Sequence, residues 1–356
     1  MTRYLLFLLG LVLALPILGL LALALGKPLT ISGIGYLLAC LLAVSGFILA
    51  PWRPKYLSWL ALAGLLGIVL IASARLIQAS RVDANSEIKI IVLPHGKETR
   101  WISYMIDEQD TLILGETLFH LIGGDSASEH EDISSALSAA YSEMRGEQRI
   151  FPSPVISIYL DLQQPASFDA VLVEPEIKRR PEIAVVFLHG YMGNVTLQCW
   201  EIAQAVNKLG AVTVCPSTEW RGEWSQSQGE AILEATFRYL REQGIQKFYL
   251  GGFSNGGFGI SRVVSGLKNE NGLSGLIFIN GIYDGMSIRE AGLPVLIIQG
   301  AQDERVPASE VREIAATIGD LGTYVELNGD HFMIIKQSQL VQAAIADWLG
   351  DRESPK

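Results

Sequence analysis

Charged side chains are almost missing from residues 4–78 of this 356-residue chain, and cysteine, histidine and positive charge are scarce throughout. Each shortage excludes something. With 27 Lys and Arg against 37 Asp and Glu, the formal net charge is −10, and no long basic patch appears, which argues against a nucleic-acid partner. His120, His130 and Glu131 follow no ligand spacing, so they read as solvated helix surface and no metal is expected. Of three cysteines, Cys40 lies in an apolar stretch where it only packs. Cys199 and Cys215 admit two readings. A disulfide at one edge of a sheet fits an oxidising exterior, whereas two buried free thiols fit the usual burial of cysteine.

The uncharged region divides into three stretches, 4–25, 31–50 and 57–78, joined by "GKPLT" and "PWRPKY". About 20 apolar residues suffice to cross a bilayer core of roughly 30 Å as a helix. These stretches also lack the polar stripe that a buried soluble hairpin needs, so residues 1–82 form an expected membrane anchor of three helices. The N-terminal amine, Arg3, Arg53 and Lys55 fall on one side, and Lys27, Arg75 and Arg81 on the other. With the first side cytoplasmic, three crossings of an inner (cytoplasmic) membrane put the rest of the chain on the periplasmic or extracellular side. Cleavage at "ALA" (22–24) would leave that outcome unchanged, but the stretch is longer than a usual signal core and an uncleaved helix is preferred.

Residues 83–150 carry no chemistry motif. They hold a strand-like "EIKIIVLP", a helix-compatible "TRWISYMIDEQDTLILGETLFHLI" and a second helical run whose acidic start and Arg145 near its end suit the helix dipole. They are expected to form an accessory segment. From about residue 151, "VISIYLDL" and "DAVLVEP" read as an antiparallel pair. Apolar runs then alternate with helical stretches at 195–209, 226–243, 256–267, 308–318 and 336–349. That alternation predicts an α/β domain over 151–356, with a mostly parallel eight-stranded sheet covered by helices on both faces. Chemistry in such sheets belongs at the carboxyl ends of the strands.

Three residues meet that condition in chain order. Ser254 stands in "GFSNGG", between a strand and a helix, where a sharp turn needs small flanking residues. Asp303 follows "PVLIIQG" and His331 follows "TYVELNG". A serine hydroxyl needs a base to take its proton, and the base needs an acid to hold its tautomer, so the three are candidate nucleophile, acid and base. Asp284 is the rival acid, Glu304 reads as solvent-facing, and Asp330 reads as a turn residue. The oxyanion site needs one amide after the nucleophile, Asn255, and one from the loop "HGYMG", Tyr191 with Met192 as runner-up. His189 then braces that loop.

"HGYMG", "GFSNGG", "AQDERVP" and "GDHF" together resemble the oxyanion loop, nucleophile elbow, acid turn and histidine loop of the α/β-hydrolase superfamily, over about residues 155–350. Within it the chain looks like membrane-anchored bacterial serine hydrolases. The resemblance implies an α/β-hydrolase fold, acyl transfer to water through an acyl-enzyme, and neither metal nor organic cofactor. About a dozen residues separate "FING" from "PVLII", too few for the cap domain of many relatives. The roof then falls to the accessory segment or the loop 217–224, where Trp220 and Trp224 either line an acyl pocket or pack beside a helix. A bilayer anchor favours carboxylic esters of small or lipid-like acyl groups over peptide amides. A catalytically silent membrane scaffold or sensor is the alternative from another class.

Overall fold

Apolar length sets the first elements of the computed structural model. Helices α1 (Thr2–Ala24), α2 (Ile31–Leu49) and α3 (Pro54–Ala79) contain spans of 21, 19 and 21 residues that are long and apolar enough to cross a membrane. Leu15 and Ile31 are 77% and 92% exposed, an arrangement that suits lipid and not water, and the three helices point to membrane association. Helices α2 and α3 touch through small residues: a Cβ on Gly64 would lie 2.5 Å from Ala39 O, and one on Gly46 2.6 Å from Ala61 N. The structure describes residues 2–49, 52, 54–81, 87–98, 100–122, 127–146, 150–176, 181–267 and 270–353. Arg53, used above for orientation, lies outside them, as do the side chains of Arg3, Lys55, His130 and Glu131.

The chain forms two units, one of Met1–Asp83, Tyr104–Ala139 and Arg145–Ile150, the other of Ala84–Ser103, Ala140–Met144 and Phe151–Lys356. Their boundary therefore runs through the segment 83–150. The first unit adds α4 (Glu108–Leu121) and most of α5 (Ala127–Arg145). Asp107 caps α4 by accepting from Gln109 N–H and pairs with Arg75 at 3.6 Å and Arg145 at 2.8 Å. Arg75 also donates to Tyr104 O at 2.7 Å and Ser32 Oγ at 2.9 Å, while Asp110 accepts from Thr30 N–H at 2.7 Å.

The second unit is a sheet of β1 (Ile88–Leu93), β2 (Lys97–Glu98), β3 (Phe168–Val173), β4 (Ile183–Leu188), β5 (Val212–Pro216), β6 (Lys247–Phe253), β7 (Leu273–Ile279), β8 (Val295–Gly300) and β9 (Gly322–Leu327). Their spatial order is β2-β1-β3-β5-β4-β6-β7-β8-β9. From β5 to β9 the pairings are parallel, whereas β1, β2 and β3 run antiparallel. Among the described residues, eight strands have five or more residues, and β2 is a two-residue edge. Strands β5 and β8 are buried along their whole length, as continuous apolar runs between helix layers require. Helices α6 (Val155–Tyr159), α7 (Val195–Val206), α8 (Ser227–Glu242), α9 (Asn255–Leu267), α10 (Gly285–Glu290), α11 (Ala308–Ile318), α12 (Met333–Lys336) and α13 (Ser338–Glu353) complete the unit.

One strand differs from expectation. "VISIYLDL" is not the antiparallel partner of β3 but the short helix α6, entered from Pro154 and left through Asp161 at φ 54°. The partner is β1, which pairs with β3 over six residues from Ile88↔Val173 to Leu93↔Phe168 and occupies that edge. Cys199 of α7 and Cys215 of β5 form a disulfide, with Cα atoms 5.8 Å apart.

Candidate active site

Backbone crowding explains the glycines around Ser254. The serine joins β6 to α9 at φ 51°, a left-handed conformation disfavoured for a residue with a Cβ. Its amide donates to Ile279 O at 3.0 Å, which ties the turn to the end of β7. A Cβ on Gly252 would lie 2.5 Å from Gly256 C, and one on Gly256 2.1 Å from Leu188 O. Gly281, from the next strand's loop, would meet Ser254 O at 2.2 Å. Side chains are thus excluded on three sides of the turn.

His331 and Asp303 reach Ser254 from the ends of β9 and β8. His331 Nδ1 lies 2.8 Å from Asp303 Oδ2, and Nε2 lies 3.0 Å from Ser254 Oγ. A carboxylate only accepts, so Nδ1 carries the proton and Nε2 is left to accept from the serine hydroxyl. Asp303 Oδ1 accepts from Arg305 and Val306 N–H, both at 2.9 Å, and Gln299 Nε2 donates to Oδ2 at 3.3 Å. Asp303 and His331 are buried, whereas Ser254 is half-buried. The chain of hydrogen bonds therefore runs outward from a fixed carboxylate to an accessible hydroxyl.

The rival acids are elsewhere engaged. Asp284 is exposed and caps α10, accepting from Ser287 N–H at 3.2 Å and Oγ–H at 2.6 Å. Glu304 is exposed, and Asp330 closes a turn by accepting from Phe332 N–H at 2.9 Å and Lys336 Nζ at 2.7 Å. Asn280 and Gln299 carry no motif signal. Asn280 Nδ2 donates to His331 O at 2.8 Å and Asp330 O at 3.0 Å, and its Oδ1 accepts from Gly300 N–H at 2.8 Å, so it links the β8 end to the histidine loop. Its place at the end of β7 is the signal that could have found it. Gln299, inside β8, offers none.

The loop 189–193 lies against the serine, since a Cβ on Gly190 would sit 3.2 Å from Ser254 Cβ. Met192 N–H donates to Trp220 O at 2.7 Å, which commits the runner-up donor to another oxygen. His189 is buried; its Nδ1–H donates to Gly190 O at 2.7 Å and its Nε2 accepts from Thr218 N–H at 3.3 Å. Burial holds this imidazole down at about 4, the bond to Gly190 opposing, so it stays neutral and braces the loop.

Residues 233–334, which include Ser254, Asp303 and most of the sheet's carboxyl-end loops, match the model of the alpha/beta hydrolase family. The second unit has the alpha/beta hydrolase fold. Solved structures to which the chain is similar include Est1E from Butyrivibrio proteoclasticus, at 15% identity over 53% of this chain and 96% of that one, TM-score 0.46. Another is XC6422 from Xanthomonas campestris, described as a serine hydrolase without lid, at 19% identity over 54% of this chain and 92% of that one, TM-score 0.44. A serine hydrolase homologue from Coxiella burnetii matches at 20% identity over 51% and 92%, TM-score 0.42. No curated protein matches the chain.

Beside the Asp303–His331–Ser254 chain lies a cavity of about 400 Å³, lined by Gly222, Glu223, Trp224, Asn255, Phe258, Arg262 and Tyr283. Neither Ser254 nor His331 lines it. Of the two tryptophans singled out in the sequence, Trp224 both packs and lines. It is 2% exposed, its indole N–H donates to His189 O at 3.0 Å, and one edge faces the cavity. Trp220 stands outside the cavity wall, edge to face with Tyr191 at 5.1 Å.

Proposed function

We propose that the chain is a membrane-anchored serine hydrolase that cleaves carboxylic esters by way of an acyl-enzyme. The observation that carries this reading is the Asp303–His331–Ser254 hydrogen-bond chain, 2.8 Å and 3.0 Å, ending at a serine held in a left-handed turn at a helix N-terminus. In the first step Ser254 Oγ attacks the ester carbonyl carbon while His331 Nε2 takes the hydroxyl proton. The carbonyl electrons move to oxygen, and the amides of Asn255 and Tyr191 donate to that oxyanion. Collapse expels the alcohol, which receives the proton from His331, and Ser254 is left acylated. Water, deprotonated by His331, attacks the acyl carbon and releases the carboxylic acid, restoring the serine. Asp303 remains a carboxylate throughout and holds the imidazole in the tautomer both half-reactions need.

Esters are favoured over amides because α1, α2 and α3 keep the enzyme beside lipid-like acyl substrates. The Cys199–Cys215 disulfide supports an oxidising compartment, and with the charge pattern of the anchor it supports a hydrolase unit outside the cytoplasmic membrane. A fluorophosphonate probe is expected to label the wild type and not Ser254→Ala. Equal labelling of both removes Ser254 from the role, and no labelling of a folded wild type favours a silent scaffold. A panel of acyl esters and peptide amides separates esterase from peptidase. Reporter fusions at the C-terminus read the side of the membrane, and a cytoplasmic signal overturns the placement.

A further inference from the structure

Among the described residues, the cavity beside the nucleophile is lined by one cation, Arg262, and one acid, Glu223. Asn255, Phe258 and Arg262 follow one another along one face of α9 at helical spacing, and all three line the cavity. Arg262 is exposed, and its guanidinium carbon sits 5.3 Å from the Tyr283 ring centroid. Among the described residues, that guanidinium has no hydrogen bond and no ion pair. The acids nearby are already engaged. Glu223, which also lines the cavity, pairs with Arg221 at 3.5 Å and accepts from Gln226. Asp284, next to Tyr283, is spent capping α10.

Tyr283 itself is well fixed, its amide donating to Ser261 Oγ at 3.1 Å and its ring 6.1 Å from that of Phe258. A cation held against a fixed ring has less freedom to lose on meeting an anion, and Arg262 lines the cavity. Seven residues of helix separate Asn255 from Arg262, about 10 Å. A volume of about 400 Å³ holds a chain of that length.

We infer that Arg262 is a specificity-determining residue, and that the substrate carries an anionic group, carboxylate or phosphate, about 10 Å from the bond that is cleaved. This rests on the esterase reading above and names its substrate class. The apolar stem of such a substrate lies on Phe258 and Trp224, and its charged end meets the guanidinium.

The full-length chain in detergent tests it with matched esters. One pair is 4-nitrophenyl hydrogen azelate and its methyl ester, which varies the acyl end. The other is the butyrate of 4-(4-hydroxy-3-nitrophenyl)butanoate and 4-nitrophenyl butyrate, which varies the leaving group. In at least one pair the wild type should favour the anion in kcat/KM by about tenfold or more. Arg262→Gln should bring that ratio close to one, and Arg262→Lys should keep part of it. Arg238→Gln, on the exposed face of α8, should keep all of it. An anion-to-neutral ratio equal in wild type and Arg262→Gln overturns the inference.

Titration of monomethyl azelate and of octyl phosphate into Ser254→Ala, with and without Arg262→Gln, reads the cavity without turnover and tells carboxylate from phosphate. Binding that needs Arg262 supports the inference even if fluorophosphonate labelling has removed the hydrolase reading. The absence of binding for both anions, or equal binding with and without Arg262, sinks it.

Discussion

Two aspartates, one in each unit, are buried to nearly the same degree: Asp107 at 5% and Asp303 at 4% exposure. Asp107 is complete within its own unit, because Arg75, Arg145 and the first turn of α4 satisfy both oxygens. Asp303 is also satisfied by backbone amides, yet one oxygen passes its influence through His331 to a half-buried hydroxyl. Burial and charge therefore do not separate a structural acid from a candidate catalytic one. What separates them is whether the hydrogen-bond chain ends inside the protein or at a group that a ligand can reach.

The sharpest way to break the comparison is to neutralise each acid in turn. Asp303→Asn should cost roughly 100-fold to 10,000-fold in kcat, because the amide no longer fixes the histidine tautomer, while thermal denaturation moves little. A loss below about fivefold would move the acid's role elsewhere. Asp107→Ala should do the reverse, destabilising the first unit by about 3–5 kcal/mol by removing the buried charge that pairs with both Arg75 and Arg145, while Ser254 still reacts with a fluorophosphonate. Denaturation followed in detergent checks the first part, and gel-based labelling the second.

Glu201 sharpens the contrast further, as a buried acid with no cation paired to it among the described residues. Burial raises it from 4.5 to about 8, with Gln342 opposing and Glu143 adding to the rise. The folded state then holds a proton that the unfolded chain releases, so its contribution is complete below about 4.5 and is lost as pH rises through about 8. Glu201→Gln should flatten the decline of stability across that window; an unchanged slope would assign the decline to other groups. The smallest effect belongs to Asp284→Asn, since asparagine caps a helix as well as aspartate. Turnover and stability should both stay within about 0.5 kcal/mol of wild type, and a large loss of turnover would reopen Asp284 as the acid.

How much of this was legible varied with the range of the interaction that decides each element. Ser254, Asp303 and His331 could be placed because each follows an apolar run, and the end of a strand is a local property. The three helices long and apolar enough to cross a membrane were equally legible, since length and hydropathy alone decide them. Strand β1 was visible as a strand, but its partnership with β3 spans about 80 residues and leaves no local mark. "VISIYLDL" failed for the complementary reason: its alternation suits a strand, and only the occupied edge of β3 leaves it to form α6. The sequence ranks Tyr191 above Met192 as a donor, but the bond that commits the Met192 amide, to Trp220 O, comes from a distant loop and leaves no local mark. Asn280 and Gln299 act through backbone carbonyls and a carboxylate that only the fold brings to them.

The crowding at Gly252, Gly256 and Gly281 comes from backbone atoms alone, so it is indifferent to whether Ser254 ever reacts. A side chain at any of those glycines would strike main chain that cannot retreat. The glycines are thus demanded by the turn itself, whereas a demand for the histidine and aspartate comes only from the chemistry proposed for Ser254.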